Sequence, residues 1–267
     1  MRDSRKLFAV GFVVYGPPAE FVARLELVHR NGYRIYVYDN SPENDAVRRA
    51  LAGMQNVVYS TAGKNLGLGV ALSTVCAQAY YDSYGALLFF DQDTVFDSST
   101  LGFVERFCAD AAAEFANTHA AIVFGSGGSR GDRPYGIRDV RLAISSGSLF
   151  FLDNLKSLGW HNETYFVDGV DYELCLRSLA RNLKVGRCPD TPGFDHVSGQ
   201  PDRSVRVLGK PLQLRRYKWS RIADSTRAYV RLLLASVRMG QLGFAASIFR
   251  AYAIYVYGQL VARIILR

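Results

Sequence analysis

Cysteine is sparse in the 267-residue sequence, and its spacing is uninformative for metal: Cys76, Cys108, Cys175 and Cys188 include no C-x-x-C pair. Structural zinc and a disulfide framework are therefore unsupported, and buried reduced thiols are expected. A phosphate loop of the G-x-x-x-x-G-K-[ST] type is also missing. The run Gly63-Lys64-Asn65-Leu66-Gly67-Leu68-Gly69 has Val58 where the first glycine would stand, and Asn follows its lysine. The glycine-rich run from Gly125 fails G-x-G-x-x-G because Arg130 occupies the last glycine position. A Walker ATPase and a Rossmann dehydrogenase are thereby excluded. No G-x-S-x-G elbow or Ser/His/Asp set is evident. No stretch reaches about 18 uncharged apolar residues, so a standard membrane span is not expected. The apolar run of residues 7–15 is followed by Pro17-Pro18 without a small-residue cleavage site, and reads as a first strand rather than a secretory signal.

Acid is scarce in one region only. From Pro201 onward the chain has 13 Lys+Arg and 2 Asp+Glu, a net +11; residues 1–200 have 19 and 22, a net −3. The overall +8 is an average of two unlike parts. A hydrophobic content of 49% with 21% charged residues excludes a disordered chain.

Within the acidic part, apolar runs alternate with helical periodicity. Strands are expected at 7–15, 34–41, 56–60, 86–93 and 142–152, the last with a polar start, and helices at 19–31, 43–53, 69–82 and 166–182. This alternation predicts an α/β fold with a mixed, mostly parallel sheet flanked by helices. Ligands of such sheets bind beyond the C-terminal strand ends. Three polar clusters fall there or at a helix start.

Asp91-Gln92-Asp93 ends the strand ALLFF, and two carboxylates one residue apart suit Mg²⁺ or Mn²⁺ with phosphate oxygens completing the shell. The alternative is a solvated turn capped by Asp97 and Ser98. Asp39-Asn40-Ser41 ends the second strand; Asp39 either accepts hydrogen bonds from a nucleoside or closes an Asx-turn. Asp168 and Asp171 lie three apart at a helix start, on one face if both are helical, where a carboxylate serves as general base or simply favours the helix dipole. Glycines of the 63–69 loop permit close backbone approach to a ligand. His196 follows a proline-containing turn, and a lone histidine is by default structural.

Taken in order, VVYGP, YDNS, KNLGLGVALS, FFDQDT, SSGSLF, FVDGVDYELCLR and DHVSG resemble the family-2 inverting glycosyltransferases of GT-A fold. The DQD form and the F-x-D-x-V-D-x-E-x-x-x-R segment are most like the bacterial rhamnosyltransferase branch. The resemblance covers residues 7–200 and implies a Rossmann-like GT-A nucleotide-sugar-binding domain over residues 1–200. It implies that Asp39 contacts the base of the nucleotide sugar and that Asn65 and Gly67 line the nucleotide pocket. Asp91, with Gln92 beside it, and Asp93 would flank the metal on the diphosphate, with His196 as a further ligand. Ser145, Ser146 and Gly147 would lie near the donor sugar. Asp171 would be the base, since it matches the base of galactofuranosyltransferase-like relatives, with Asp168 second; many relatives carry Glu-Asp where this chain has Asp168-Gly169. The implied donor is a nucleotide sugar, with dTDP-rhamnose foremost; the implied acceptor is a saccharide or a polyprenyl-linked saccharide.

Residues 201–267 read as a basic amphipathic helical tail, with helices at 219–238 and 241–266. The 12 uncharged residues between Arg250 and Arg263 cover only about 18 Å, so a peripheral seat on the inner face of the cell membrane is expected of a cytoplasmic protein, rather than a span. Packing of the tail on the body or on a second copy is the alternative. Two other functions compete: a nucleotidyltransferase, which would show a glycine-rich N-terminal loop with Arg and Lys, and a nucleic-acid-binding protein using the basic tail. Neither is preferred, and no nucleic-acid partner is expected.

Overall fold

The computed structural model describes residues 6–42, 45–127, 129–196, 203–207, 210–214 and 216–265. It divides into two compact units, Met1–Val197 and Ser198–Arg267. The linker expected at Gly199-Gln200-Pro201 lies outside the described residues.

The first unit runs β1 (Lys6–Val14), α1 (Glu20–Arg30), β2 (Ile35–Asp39), α2 (Asp45–Leu51), β3 (Val57–Thr61), α3 (Leu68–Tyr81) and β4 (Tyr84–Asp91). It continues through β5 (Thr94–Val95), α4 (Ser98–Asp110), α5 (Ala112–Ala116), β6 (His119–Phe124), β7 (Arg138–Val140) and β8 (Ser148–Phe151). It closes with α6 (Leu152–Leu158), α7 (Val170–Ala180), β9 (Lys184–Cys188) and β10 (Asp195–His196). Eight strands form one sheet in the order β3-β2-β1-β4-β8-β6-β9-β7. β1 to β4 are mutually parallel, as are β6 and β9, while β8 runs antiparallel between β4 and β6 and β7 runs antiparallel on the edge. This mixed sheet is the architecture expected from the alternating pattern. Its parallel strands end on one edge, and the antiparallel β8 begins there.

Local sequence explains most elements. β2 is buried along its whole length, as a central strand covered on both faces must be. Phe21, Leu25 and Val28 put one face of α1 in the core. Asp97 caps α4 by accepting from the N–H groups of Ser99 and Thr100, with Thr100 closing a capping box. Phe90 and Phe96 stack at 4.1 Å between ring centroids, with Phe12 and Phe21 beside them, and fasten the segment after β4 to the core. All four cysteines are buried and free.

Two expectations need correction. The strand expected over 142–152 starts only at Ser148 and gives way to α6 at Leu152. Gly147 has a φ of +78°, and the Ser148 N–H bonds back to the Ser145 carbonyl, so residues 145–147 form a buried turn instead. The helix expected from 166 starts at Val170, because Gly169 at φ +89° sets the chain into it only there. Asp168 therefore precedes the helix, and Asp168 and Asp171 do not share a helical face.

The second unit is not all helical. A hairpin of β11 (Arg203–Val207) and β12 (Lys210–Leu214) precedes α8 (Trp219–Arg238) and α9 (Leu242–Ile265). Apolar and polar residues alternate only over 204–207 and 212–214, too short a pattern to read as strands from the sequence. The helices pair through tyrosines: the Tyr252 hydroxyl bonds Thr226 Oγ1 at 3.1 Å, and its ring lies 5.1 Å from Tyr229. Arg263 stacks over Trp219 at 4.1 Å and donates to Gln259 Oε1 and the Tyr217 carbonyl. α8 is amphipathic, whereas α9 is apolar on all sides. At 24 residues, α9 is long and apolar enough, by length and composition, to cross a membrane. It does so with Arg250 inside it, since the helix joins the apolar residues before Arg250 to those after it.

Candidate active site

The C-terminal ends of β1, β2 and β4 bring the first polar groups together. Asp39 is buried at the end of β2; its Oδ1 accepts from the Ser41 N–H at 2.8 Å and its Oδ2 from the Tyr59 hydroxyl at 3.0 Å. The first contact is the Asx-turn geometry, so Asp39 is held in place at a strand end whatever it binds. Ser41 Oγ accepts from the Gly16 N–H at 2.8 Å and ties β2 to the turn after β1. Asn40, which sequence reading passed over, accepts from the Leu66 N–H at 3.0 Å and donates to the Gly67 carbonyl at 3.2 Å. Asn65 Oδ1 accepts from the Gly67 N–H at 2.9 Å.

Two glycines of this loop, Gly67 and Gly69, are required by the chain's own packing. A Cβ on Gly67, at φ +91°, would lie 2.5 Å from the Phe166 carbonyl oxygen, and one on Gly69 would lie 2.6 Å from that of Asn162. The close approach they permit is that of the 162–166 segment of the chain itself.

The second cluster is acidic. β4 delivers Asp91, Gln92 and Asp93, all partly buried. Gln92 is used structurally: its Oε1 accepts from the Tyr15 N–H at 2.7 Å, and its carbonyl accepts from Arg24. The Asp91 N–H donates to Ser146 Oγ at 3.3 Å, and Ser146 Oγ is hydrogen-bonded to Thr94 Oγ1. Across the same turn, Ser145 Oγ donates to Asp171 Oδ1. The Ser145-Ser146 turn thus touches Asp171 with one hydroxyl and the backbone of Asp91 with the next. Gly147 is required beside them, since a Cβ would lie 2.4 Å from the Phe124 carbonyl oxygen.

The electrostatics follow from this crowding. Burial pushes the Asp91 carboxyl up to about 7, helped by repulsion from Asp171 and Asp93. Burial likewise pushes Asp171 up to about 6, against the lowering effect of the Ser145 hydrogen bonds and with a further rise from Asp168. Asp171 lies in the first turn of α7, while Glu173 is occupied by Arg177 at 2.7 Å. Arg177 is therefore the partner of Glu173 and not of Asp171.

No group of three or more His, Cys, Asp or Glu suited to a metal occurs among the described residues. Asp91 and Asp93 nevertheless fit a divalent cation that completes its shell with phosphate oxygens, because they are two adjacent hard donors whose repulsion is uncompensated. Of His196 only the backbone is described: it pairs with Thr94 in the β5–β10 ladder, next to Asp93. Its expected role as a ligand lies outside the described side chains.

No family model matches the chain. In sequence it is similar to the dTDP-rhamnosyl transferase RfbF of Shigella flexneri, 25% identical over 222 residues that cover 76% of this chain and 72% of that protein. In structure it is similar to TarS of S. aureus, with a TM-score of 0.59 and 12% identity over 92% of this chain. It is also similar to GalNAc-T7 solved with UDP, GalNAc and Mn²⁺, with a TM-score of 0.53 and 12% identity over 73% of this chain. It spans only 42% of that TarS chain and 44% of the GalNAc-T7 chain. The fold is thus that of the GT-A glycosyltransferases. The similarity to RfbF agrees with the resemblance that the motifs carry.

Proposed function

We propose that the chain is an inverting glycosyltransferase that moves a sugar, L-rhamnose from dTDP-rhamnose foremost, to a saccharide or polyprenyl-linked saccharide in bacterial surface polysaccharide synthesis. One observation carries the reading: Asp91 and Asp171, far apart in sequence, meet at one sheet edge, where the Ser145-Ser146 turn is hydrogen-bonded to both and the Asp171 charge helps raise the Asp91 carboxyl. RfbF is a dTDP-rhamnosyl transferase by name, and TarS has been solved with UDP-GlcNAc, which supports a nucleotide-sugar donor.

In this reading Asp39, Asn65 and Gly67 frame the nucleoside end of the donor, with Asn40 and Tyr59 holding Asp39 and the loop in position. Mg²⁺ or Mn²⁺ on Asp91 and Asp93 would act as a Lewis acid toward the leaving diphosphate. Asp171 takes the proton of the acceptor hydroxyl as that oxygen attacks the anomeric carbon. A carboxylate raised to about 6 is still mostly ionised at pH 7 and is a stronger proton acceptor than an ordinary aspartate. Ser145 donates to Asp171 and aims it, and the proton leaves on Asp171 as the bond to the diphosphate breaks. Displacement in one step inverts the anomeric carbon and needs no covalent sugar–enzyme intermediate. Asp168 is the second candidate base.

The tail serves the same reading. Leu242, Phe249, Tyr257, Leu260 and Ile264 are exposed and fall within about 80° of one another at ~100° per residue along α9. Together with the net +11 region this stripe suits an interface of anionic lipid and favours membrane over nucleic acid. The protein would then work at the cytoplasmic face of the membrane, where a polyprenyl-linked acceptor is presented.

A donor panel tests the proposal. Purified protein is incubated with dTDP-rhamnose, UDP-GlcNAc, UDP-galactose and GDP-mannose, each with Mg²⁺ or Mn²⁺, and nucleotide release and donor binding are measured. Binding and release with dTDP-rhamnose alone is expected. Binding of none of these donors would overturn the reading.

A further inference from the structure

Beyond the Ser145–Gly147 turn, on the side of β6, β7 and β9, lies a cavity of about 220 Å³. Phe124 and Phe194 form part of its apolar wall; Ser126, Ser146, Tyr172 and Arg187 supply polar groups. At ~30 Å³ per water it holds about seven waters' worth of volume, close to a single sugar residue.

Arg187 is the cation of this cavity, and glycosyl transfer as described makes no use of it. Its Nε is buried and has no hydrogen-bond partner among the described residues. A buried donor left unmade is costly. Arg187 is also the register partner of Arg138 across the β7–β9 ladder. Like charges directly opposite in a sheet are unfavourable. The neighbouring acids are engaged elsewhere: Asp139 with Arg133 and Lys184, and Asp190 with Arg130. An anion in the cavity would meet the Arg187 side chain that lines it and offset the arginine pair, and a guanidinium matches a carboxylate or phosphate in geometry as well as charge.

The cavity's place decides what the anion belongs to. Ser146 lines it and also receives the Asp91 N–H. Ala143 and Ile144 line both it and a small neighbouring pocket that reaches Ser145 and Asp171. The residues assigned to the nucleotide sugar follow or end β2, β3 and β4, and β8 separates those strands from β6, β9 and β7. We infer that the cavity is an acceptor subsite for an anionic substituent, a phosphate or a carboxylate, on the sugar that Asp171 activates, with Arg187 as its principal contact. This rests on the glycosyltransferase reading.

The test uses the full chain saturated with dTDP and Mg²⁺, so that a nucleotide pocket is already filled. Glucose 6-phosphate, glucuronate and glucose are titrated by calorimetry into wild type, Arg187→Gln and Arg187→Lys. One of the two anions is expected to bind at least tenfold more tightly than glucose, and which one distinguishes phosphate from carboxylate. Arg187→Gln should weaken that anion at least tenfold and leave dTDP affinity unchanged, which also shows the variant folded. Arg187→Lys, which keeps the charge but not the planar fork, should fall between. Anions binding wild type no better than glucose, or binding Arg187→Gln as tightly as wild type, would overturn the inference. Failure of dTDP to bind wild type would count against the donor reading instead, and the same titration without nucleotide would still read Arg187.

Discussion

The two units handle charge and apolar surface in opposite ways. The body, Met1–Val197, crowds carboxylates together and shields them until Asp91 and Asp171 are pushed well above the usual range. Its aromatic side chains go inward, with Phe12, Phe90, Phe107, Phe124 and Phe150 all buried. The tail, Ser198–Arg267, contains few acids and leaves large apolar side chains in solvent, among them Leu242, Phe249 and Ile264. Neither arrangement improves the stability of an isolated fold. Concentrated like charge opposes folding, and an exposed apolar stripe adds no burial. In the proposed reading both would become favourable when something else is bound: a cation and a proton-bearing acceptor in the body, a lipid surface at the tail.

The largest break in this contrast should come from Asp171→Asn. Removing the proton acceptor should lower transfer about 10²–10⁴-fold while donor binding stays near wild type, measured by turnover and by calorimetry with the donor. Turnover within a few-fold of wild type would remove Asp171 from its role. Next in size is the tail. Replacing Phe249, Leu260 and Ile264 together by Ser should abolish flotation on vesicles rich in anionic lipid, since fully burying each such side chain is worth roughly 1.5–3 kcal/mol. Donor binding by the body should survive. Undiminished flotation would disprove the lipid contact of the stripe.

The smallest effect concerns Asp139, which ties the edge strand β7 to its neighbour β9. Partial burial pushes its carboxyl up, but hydrogen bonds from Lys184, His119 and Arg133 outweigh this and hold it below the usual range. Asp139→Asn should destabilise the body by about 1 kcal/mol or less, because the group is half exposed and screened. A carboxyl depressed in the folded state contributes stability above its unfolded value of ~3.9 and loses it as pH falls through the folded value. The difference in thermal midpoint between the variant and wild type should therefore be present at pH 7, begin to shrink near pH ~4 and be lost as pH falls through the lower, folded value. A difference that persists at lower pH would assign the effect to packing.

Much of the body was legible beforehand for a physical reason. Buried parallel strands need continuous apolar runs, and those at 7–15, 34–41 and 86–93 are distinct in composition from the helices between them. The polar residues that follow them could be found because a strand end is the only place such residues can emerge from a buried sheet. Gly147 and Gly169 were harder. Each takes a positive φ, and that decided where β8 and α7 begin, so the expected strand and helix were both too long. Asn40 escaped notice because its partners, Leu66 and Gly67, are 26 and 27 residues away. The β11–β12 hairpin was not legible because its alternation is confined to three or four residues in each strand.

By itself the sequence determined the strand–helix alternation, the order of the polar clusters and the split of charge between body and tail, all of which depend on residue type and local spacing. The tertiary structure decided which acids share a field. Asp91 and Asp171 are 80 positions apart, and only β8, running antiparallel beside β4, places the Ser145-Ser146 turn where it touches both. It also decided that Gly67 and Gly69 make room for the chain's own Phe166 and Asn162, and that Arg187 stands opposite Arg138. Pairing across a sheet is set by register and burial over the whole unit, and no local window of sequence contains it.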